Sequence, residues 1–427
     1  MTLSGGPSGA CGRGVERPPH PRAKAGAGTA LRTARPRPRR WALALAGATL
    51  AGGAAVVDPA GPGGLSDAGL RLATGAGRAL AAVLPARATQ PLPTGPRALG
   101  PGARSLAGLQ ALLAPSGGRV LRFDVGSAQG PPWPLLHGDP AAPAAAAFRR
   151  EQGLDAIASQ GGLVALLALN RWVHDRWEYG LPSRTLHTAR APDILAAAAA
   201  GERFFCAHSA YVLAQAGWSL GYGARVLRLE APDGRVHAAA ELWCPSLGRW
   251  VYLDPTFARH FVLPGAPERP LAALELQEAR RARRAVLEVR AGEAPRPAAA
   301  ADLDLFWRLR VCRRDDFLLR SYPRWHPLYF GNLWQGLWPD LDPDSDWTVG
   351  EVACTVRALG PRRLELDLAT YTPGFQRFEA RQDGGPWHPA PARLAWRLRR
   401  GTNRLALRAV GSFGRAGRPA RLEVEVP

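Results

Sequence analysis

The chain has 427 residues, 46% of them hydrophobic, which is enough for two or three domains with real cores and too apolar for a disordered polyampholyte. Glycine (48) and proline (40) together make up about a fifth of it, below the level of low-complexity sequence. The formal net charge is +20, nearly all of it arginine, and only one stretch is long and uncharged enough to concern a bilayer, which excludes a polytopic membrane protein.

Residues 1–40 carry nine basic side chains and one acid, Glu16, and read as a disordered basic tail. Residues 41–57 (WALALAGATLAGGAAVV) are uncharged and follow Arg39 and Arg40 directly, the layout of a signal peptide or membrane anchor. Export across a membrane is therefore expected, to a periplasmic, extracellular or membrane-anchored place. Residues 58–118, rich in Gly, Pro and Ala, read as a linker. Five cysteines are too few for a disulfide scaffold at this length, and their odd number leaves at least one thiol unpaired.

Order is expected from residue 119, with a short strand over 121–125 and helices over 144–159, 162–179 and 193–200. Leu163, Leu166, Leu167, Trp172 and Trp177 form the apolar stripe of the second helix. An apolar helix over 207–218, closed by Gly221 and Gly223, follows Cys206. Strands are expected over 224–231, 236–244 and 249–257, separated by turns at Pro232-Asp233-Gly234 and 245–248. Residues 119–267 then make one domain and 268–346 a connector, Ala/Arg-rich over 268–300. From Trp347 six β-like segments separated by turn signals predict a small β-sandwich over 347–427. The run Arg280, Arg281, Arg283 and Arg284 reads as a solvated face, and no nucleic-acid partner is expected.

Three residues assemble into a nucleophilic triad. Cys206 sits where a helix begins, and the unpaired amides and positive dipole end found there favour thiolate over thiol. His237 lies on one strand of a hairpin and Asp254 on the next; a turn centred between Pro245 and Ser246 sets them directly opposite, along with Glu241 against Trp250 and Ala239 against Tyr252. The imidazole then takes the Cys206 proton on one nitrogen while Asp254 holds the other. Glu241 is the rival carboxylate, disfavoured by lying in-strand four residues from His237.

The runs FFCAHSAYVLAQAGWSLGYGARVLRL, HAAAELW and GRWVYLDPTF resemble the core of the transglutaminase-like superfamily. The upstream stretches RWVHDRWEYG and DILAAAAAGERFF resemble its bacterial branch. The resemblance covers about residues 160–260 and implies an α+β, papain-like core: a helix bearing Cys packed on an antiparallel sheet bearing His and Asp. It implies Cys206 as nucleophile, His237 as general base and Asp254 as the residue that orients it. Ala239 departs from the pattern, where the family often places Trp.

His208 reads as structural or groove-lining, and the set Cys206, His208, His237 and Cys244 makes a poor metal site because Cys244 has the opposite strand parity to His237. Asp340, Asp342, Asp344 and Asp346 alternate like a calcium loop, but Ser345 stands where such a loop needs Gly. The tryptophans 325, 334, 338 and 347 read as filling a seam between domains. Trp172, Trp177, Arg203 and Gln160 are all candidates for a side-chain oxyanion donor. The expected activity is an exported cysteine acyltransferase or amidase/peptidase acting on amide bonds of a protein or peptide through a thioester, with no cofactor and no metal. The alternative is a non-catalytic scaffold that binds peptide or glycan in the same cleft.

Overall fold

The computed structural model describes residues 99–128, 130, 138–183, 189–313, 318, 338–372 and 374–427. The basic tail, the apolar stretch 41–57, and Trp325 and Trp334 lie outside the described residues. The chain opens with α1 (Leu106–Leu113), whose N-cap Ser105 accepts from the Gly108 amide, and β1 (Arg119–Asp124). The stretch read as a linker thus carries a capped helix at its end. Next come α2 (Pro143–Gln152) and α3 (Leu154–Ala158). The sequence suggested one helix here, but Gly153 adopts a left-handed φ of 63° and breaks it in two. α4 (Gly162–His174) and α5 (Ala191–Ala199) lead to α6 (Cys206–Ser219).

Four strands follow: β2 (Ala224–Glu230), β3 (Val236–Cys244), β4 (Arg249–Leu253) and β5 (Arg259–Val262). The expected strand 249–257 stops at Leu253 because the Asp254 carboxylate accepts from the Thr256 amide and starts a turn, with Ala258 at a φ of 48°. The connector is not bare either: it holds α7 (Ala273–Arg281), β6 (Leu287–Arg290), β7 (Arg296–Pro297) and α8 (Ala300–Asp304). Ala273, Leu276 and Ala279 bury one face of α7, which leaves Arg280 to pair with Asp304. β8 (Arg308–Val311) completes an antiparallel sheet in the order β4-β3-β2-β8, and β5-β6-β7 forms a small second sheet.

The remaining strands are β9 (Ala353–Gly360), β10 (Arg363–Ala369), β11 (Arg377–Gln382), β12 (His388–Ala390), β13 (Arg393–Arg397), β14 (Gly401–Val410) and β15 (Ala420–Val426). They build a three-stranded sheet, β13-β10-β9, and a five-stranded one, β1-β15-β14-β11-β12, and the two share one hydrophobic core. β1 is therefore an edge strand of the C-terminal sheets, across 300 residues of sequence from its partner, and not part of the unit that carries Cys206.

α6 lies against the first sheet, where Leu213, Val212 and Ala216 meet Leu242, Ala240 and Val251. Gly217 makes the approach close: a Cβ there would collide with the Leu242 side chain. The opposite face of that sheet packs on α7 and on Phe306, Trp347 and Tyr371. At the seam to the C-terminal sheets Arg415 donates to the Leu220 carbonyl and lies over the Tyr222 ring, while Arg149 lies over Phe413. Trp347 packs on the outer face of the first sheet, its carbonyl accepting from Trp250 Nε1, and Trp338 is buried in the α6 core. Among the described residues no helix is long and apolar enough to cross a membrane.

Candidate active site

Cys206 opens α6 after an extended Phe205, so the sulfur lies beside the free amides of the helix's first turn. The approach is fixed by Gly201, whose φ of 94° redirects the chain after α5, and by Phe204, fully buried edge-on against Trp177 at 5.5 Å. The sulfur is half-buried, whereas Cys244, Cys312 and Cys354 are buried in cores, and no disulfide joins the four. His208 is held in the rings of Phe204 and Phe205 and is fully enclosed. Burial lowers its pKa to about 3, so it stays neutral and is no base at ordinary pH.

His237 is the second residue of β3 and the ring is largely covered. Its Nε2 donates to Oδ2 of Asp254 at 2.9 Å, and the Cys206 side chain is among the groups that act on the ring's charge. With Nε2 taken, the nitrogen left for the sulfur is Nδ1. The observed register pairs Ala240 with Leu253 and Glu241 with Tyr252, two residues away from the expected pairing. The loop 245–248 is centred one residue later than expected, because Gly248 takes a φ of 62° and its amide bonds the Cys244 carbonyl. A slip of two conserves the face, so His237 and Asp254 sit diagonally and still touch. Burial opposes a charge on the ring, but Asp254 and then Cys206 outweigh it and raise the His237 pKa to about 10.

Asp254 is fully buried. Burial would raise its carboxyl; His237 and Arg259 more than offset this and hold it at about 2. Arg259 was not singled out from sequence, yet its Nε donates to the same Oδ2 at 2.9 Å and its Nη1 reaches Asp302 at 3.1 Å. The guanidinium lies 4.5 Å from the centre of the Phe257 ring, which in turn stacks on His237. Glu241, the rival carboxylate, is occupied elsewhere: fully buried, it pairs with Arg225 at 2.6 Å and accepts from the Ala273 amide.

Of the four donor candidates, Arg203 pairs with Glu178, Gln160 is exposed at the turn after α3, Trp172 is buried under the Arg176 guanidinium, and Trp177 packs on Phe204. Tyr179, which the sequence reading passed over, is coupled electrostatically to Cys206 and Asp254. Its backbone bridges Phe204 and the Gly180 amide donates to the Phe204 carbonyl. The residue is 63% exposed, so the rise in its phenol pKa, from burial and then from the charges of Cys206 and Asp254, is modest. A cleft of about 290 Å³ opens there, lined by His174, Trp177, Tyr179, Ser209, Pro255 and Thr256. No group of three His, Cys, Asp or Glu suited to a metal occurs among the described residues. Cys244 turns to Ser246, Asp340 pairs with Arg308, and Asp346 with Arg225.

No family model matches this sequence, and no curated protein matches it. Among solved structures the chain is similar to the transglutaminase of red sea bream, at 12% identity and a TM-score of 0.20. The match covers 60% of this chain and 54% of that one, so the chain spans about half the length of the bream enzyme's.

Proposed function

We propose that the chain is a cysteine acyl-transfer enzyme acting on amide bonds of a protein or peptide, with Cys206, His237 and Asp254 as its catalytic residues. One observation carries the reading. The His237 ring is hydrogen-bonded at 2.9 Å to the buried Asp254 carboxylate, and Cys206, from a third segment, is among the groups whose charge raises the ring's pKa. A buried carboxylate that also pins an arginine is a fixed acceptor, which orients the ring with Nδ1 toward the sulfur.

The steps follow from those positions. The sulfur attacks the amide carbon, a C–S bond forms, and the carbonyl oxygen gains charge near the Cys206 amide and the Tyr179 phenol, which serve as its donors. As the intermediate collapses the C–N bond breaks, and His237 Nδ1 passes its proton to the departing amine. A thioester remains. Water or a second amine then attacks it, His237 takes the incoming proton, and the C–S bond breaks to free the sulfur. A papain-like arrangement of α6 on the β4-β3-β2-β8 sheet, a sandwich of the C-terminal sheets that docks a large substrate, and export through residues 41–57 belong to the same proposal.

Alkylation tests it. Cys206 is expected to react with iodoacetamide near neutral pH well ahead of Cys244, Cys312 and Cys354, and Cys206→Ala is expected to abolish both hydrolysis and amine incorporation at a peptide amide. Labelling of Cys206 at the rate of an ordinary thiol (pKa about 8.5) would favour the scaffold reading instead.

A further inference from the structure

The outer face of the five-stranded sheet holds a second feature unrelated to Cys206. Cross-strand register places Arg381 of β11 and Arg421 of β15 on either side of Ala406 of β14. Neighbouring strands lie about 4.8 Å apart, so the two arginine stems stand about 10 Å from one another across a floor of one methyl group. In the next row Arg122 of β1 and Arg404 of β14 flank Glu423 of β15. The result is a depression of about 300 Å³ walled by four arginines and one glutamate.

The carboxylates nearby are already engaged. Glu423 accepts from Arg404 at 3.0 Å; Asp124, which faces Arg421 in register, pairs with Arg122 at 3.0 Å and Arg418 at 3.6 Å. Glu379 is shared by Arg377 and Arg408. Arg381 and Arg421 have no carboxylate partner among the described residues. Such guanidinium forks suit the paired oxygens of a carboxylate, sulfate or phosphate ester.

We infer that this face binds an anionic polysaccharide, with Arg381 and Arg421 gripping its charged groups over Ala406. Two observations favour a glycan over a nucleic acid. Trp387, the aromatic ring at the rim, already has Arg381 and Arg408 lying over it at 4.9 and 4.2 Å, so no open row of rings is offered to bases. The depression also spans two rows of side chains with a carboxylate, Glu423, set between its arginines, which suits spaced charged substituents and not a continuous phosphate backbone. The inference stands independently of the chemistry at Cys206.

The test uses the full chain, with heparin as the sulfated probe, polygalacturonate as the carboxylate probe and single-stranded DNA as the competitor. Arg381→Gln with Arg421→Gln is compared with Arg280→Gln plus Arg281→Gln, which removes the same charge elsewhere. The face variant is expected to bind the glycan at least tenfold more weakly at 0.15 M salt, and to lower the slope of log affinity against log salt by about 1.5, the loss of two ionic contacts. The control pair is expected to change affinity less than twofold. The inference is overturned if the parent binds neither glycan, if both variants lose equally, or if DNA displaces the glycan at lower concentration than glycan displaces DNA. Thermal melts of both variants accompany the titrations; these side chains are at the surface, and a folded face variant with unaltered affinity also overturns it.

Discussion

Replacing Arg259 with Met is the sharpest probe of how the site is held. The guanidinium is buried, and among the described residues it alone of the cations supports both Asp254, at 2.9 Å, and Asp302, at 3.1 Å. Glu288 loses less, because Arg290 and Arg296 also pair with it. Removing one partner of a buried ion pair generally costs about 3–5 kcal/mol, since the other charge stays behind uncompensated. Asp254 keeps the His237 ring and the Thr256 amide, so the lower end, about 3 kcal/mol, is expected. The pH dependence has a definite sign. The folded-state pKa of Asp254, about 2, lies below the unfolded value of about 3.9, so its contribution is present above pH 4 and lost as pH falls through 2. Without Arg259 the folded pKa rises, and the acid limb of stability moves to higher pH. Urea unfolding of the parent, Arg259→Met and Arg259→Lys between pH 3 and 7 measures both effects, with Lys retaining charge but not the fork and falling between the other two. A Met variant within about 1 kcal/mol of the parent, with an unmoved acid limb, would refute the assignment of Arg259 as the support of Asp254.

Turnover of a peptide amide is expected to fall as pH rises through about 10, where His237 loses the proton it must give the leaving amine, while iodoacetamide labelling of Cys206 does not fall there; stopped assays across pH 7–11 compare the two. Tyr179→Phe is expected to lower kcat by about 10²-fold, as loss of one oxyanion donor does, and to leave the labelling rate of Cys206 unchanged. Arg225→Met strands the fully buried Glu241 and is expected to cost about 3–5 kcal/mol in a urea titration with no change in labelling of Cys206. Gly217→Ala drives a methyl into Leu242; overpacking costs about 1–3 kcal/mol against a helix-propensity gain near 1, so a net loss is expected from the same titration.

The parts of this architecture that were readable in the sequence are the local ones. Apolar periodicity marked α4 and α6, turn residues marked the β2-β3-β4 meander, and the position of Cys206 at a helix start followed from the loop before it. Register was misjudged by two because Gly248 adds a left-handed residue to the turn, a backbone choice that spacing alone does not reveal. Arg259 and Tyr179 escaped notice for a different reason. Each acts through a residue brought near by folding: Arg259 by the turn at Ala258, Tyr179 by its bridge to Phe204. The same blindness to long-range pairing made α1 and β1 look like a linker and the start of the Cys206 unit.

The pairing of β1 with β15 has a consequence for how the molecule is made. Everything from α2 to β8 is spliced into the chain between two neighbours of one sheet. During synthesis the helices and sheet around Cys206 have most of their partners in hand early, apart from seam residues such as Phe413 and Arg415, whereas β1 must wait, an unzipped edge, until residues 420–426 leave the ribosome. Maturation of the two halves is thereby staggered in time, and a polypeptide cut short before residue 420 keeps its thiol-bearing half while losing the clasp that closes the ring of chain around it.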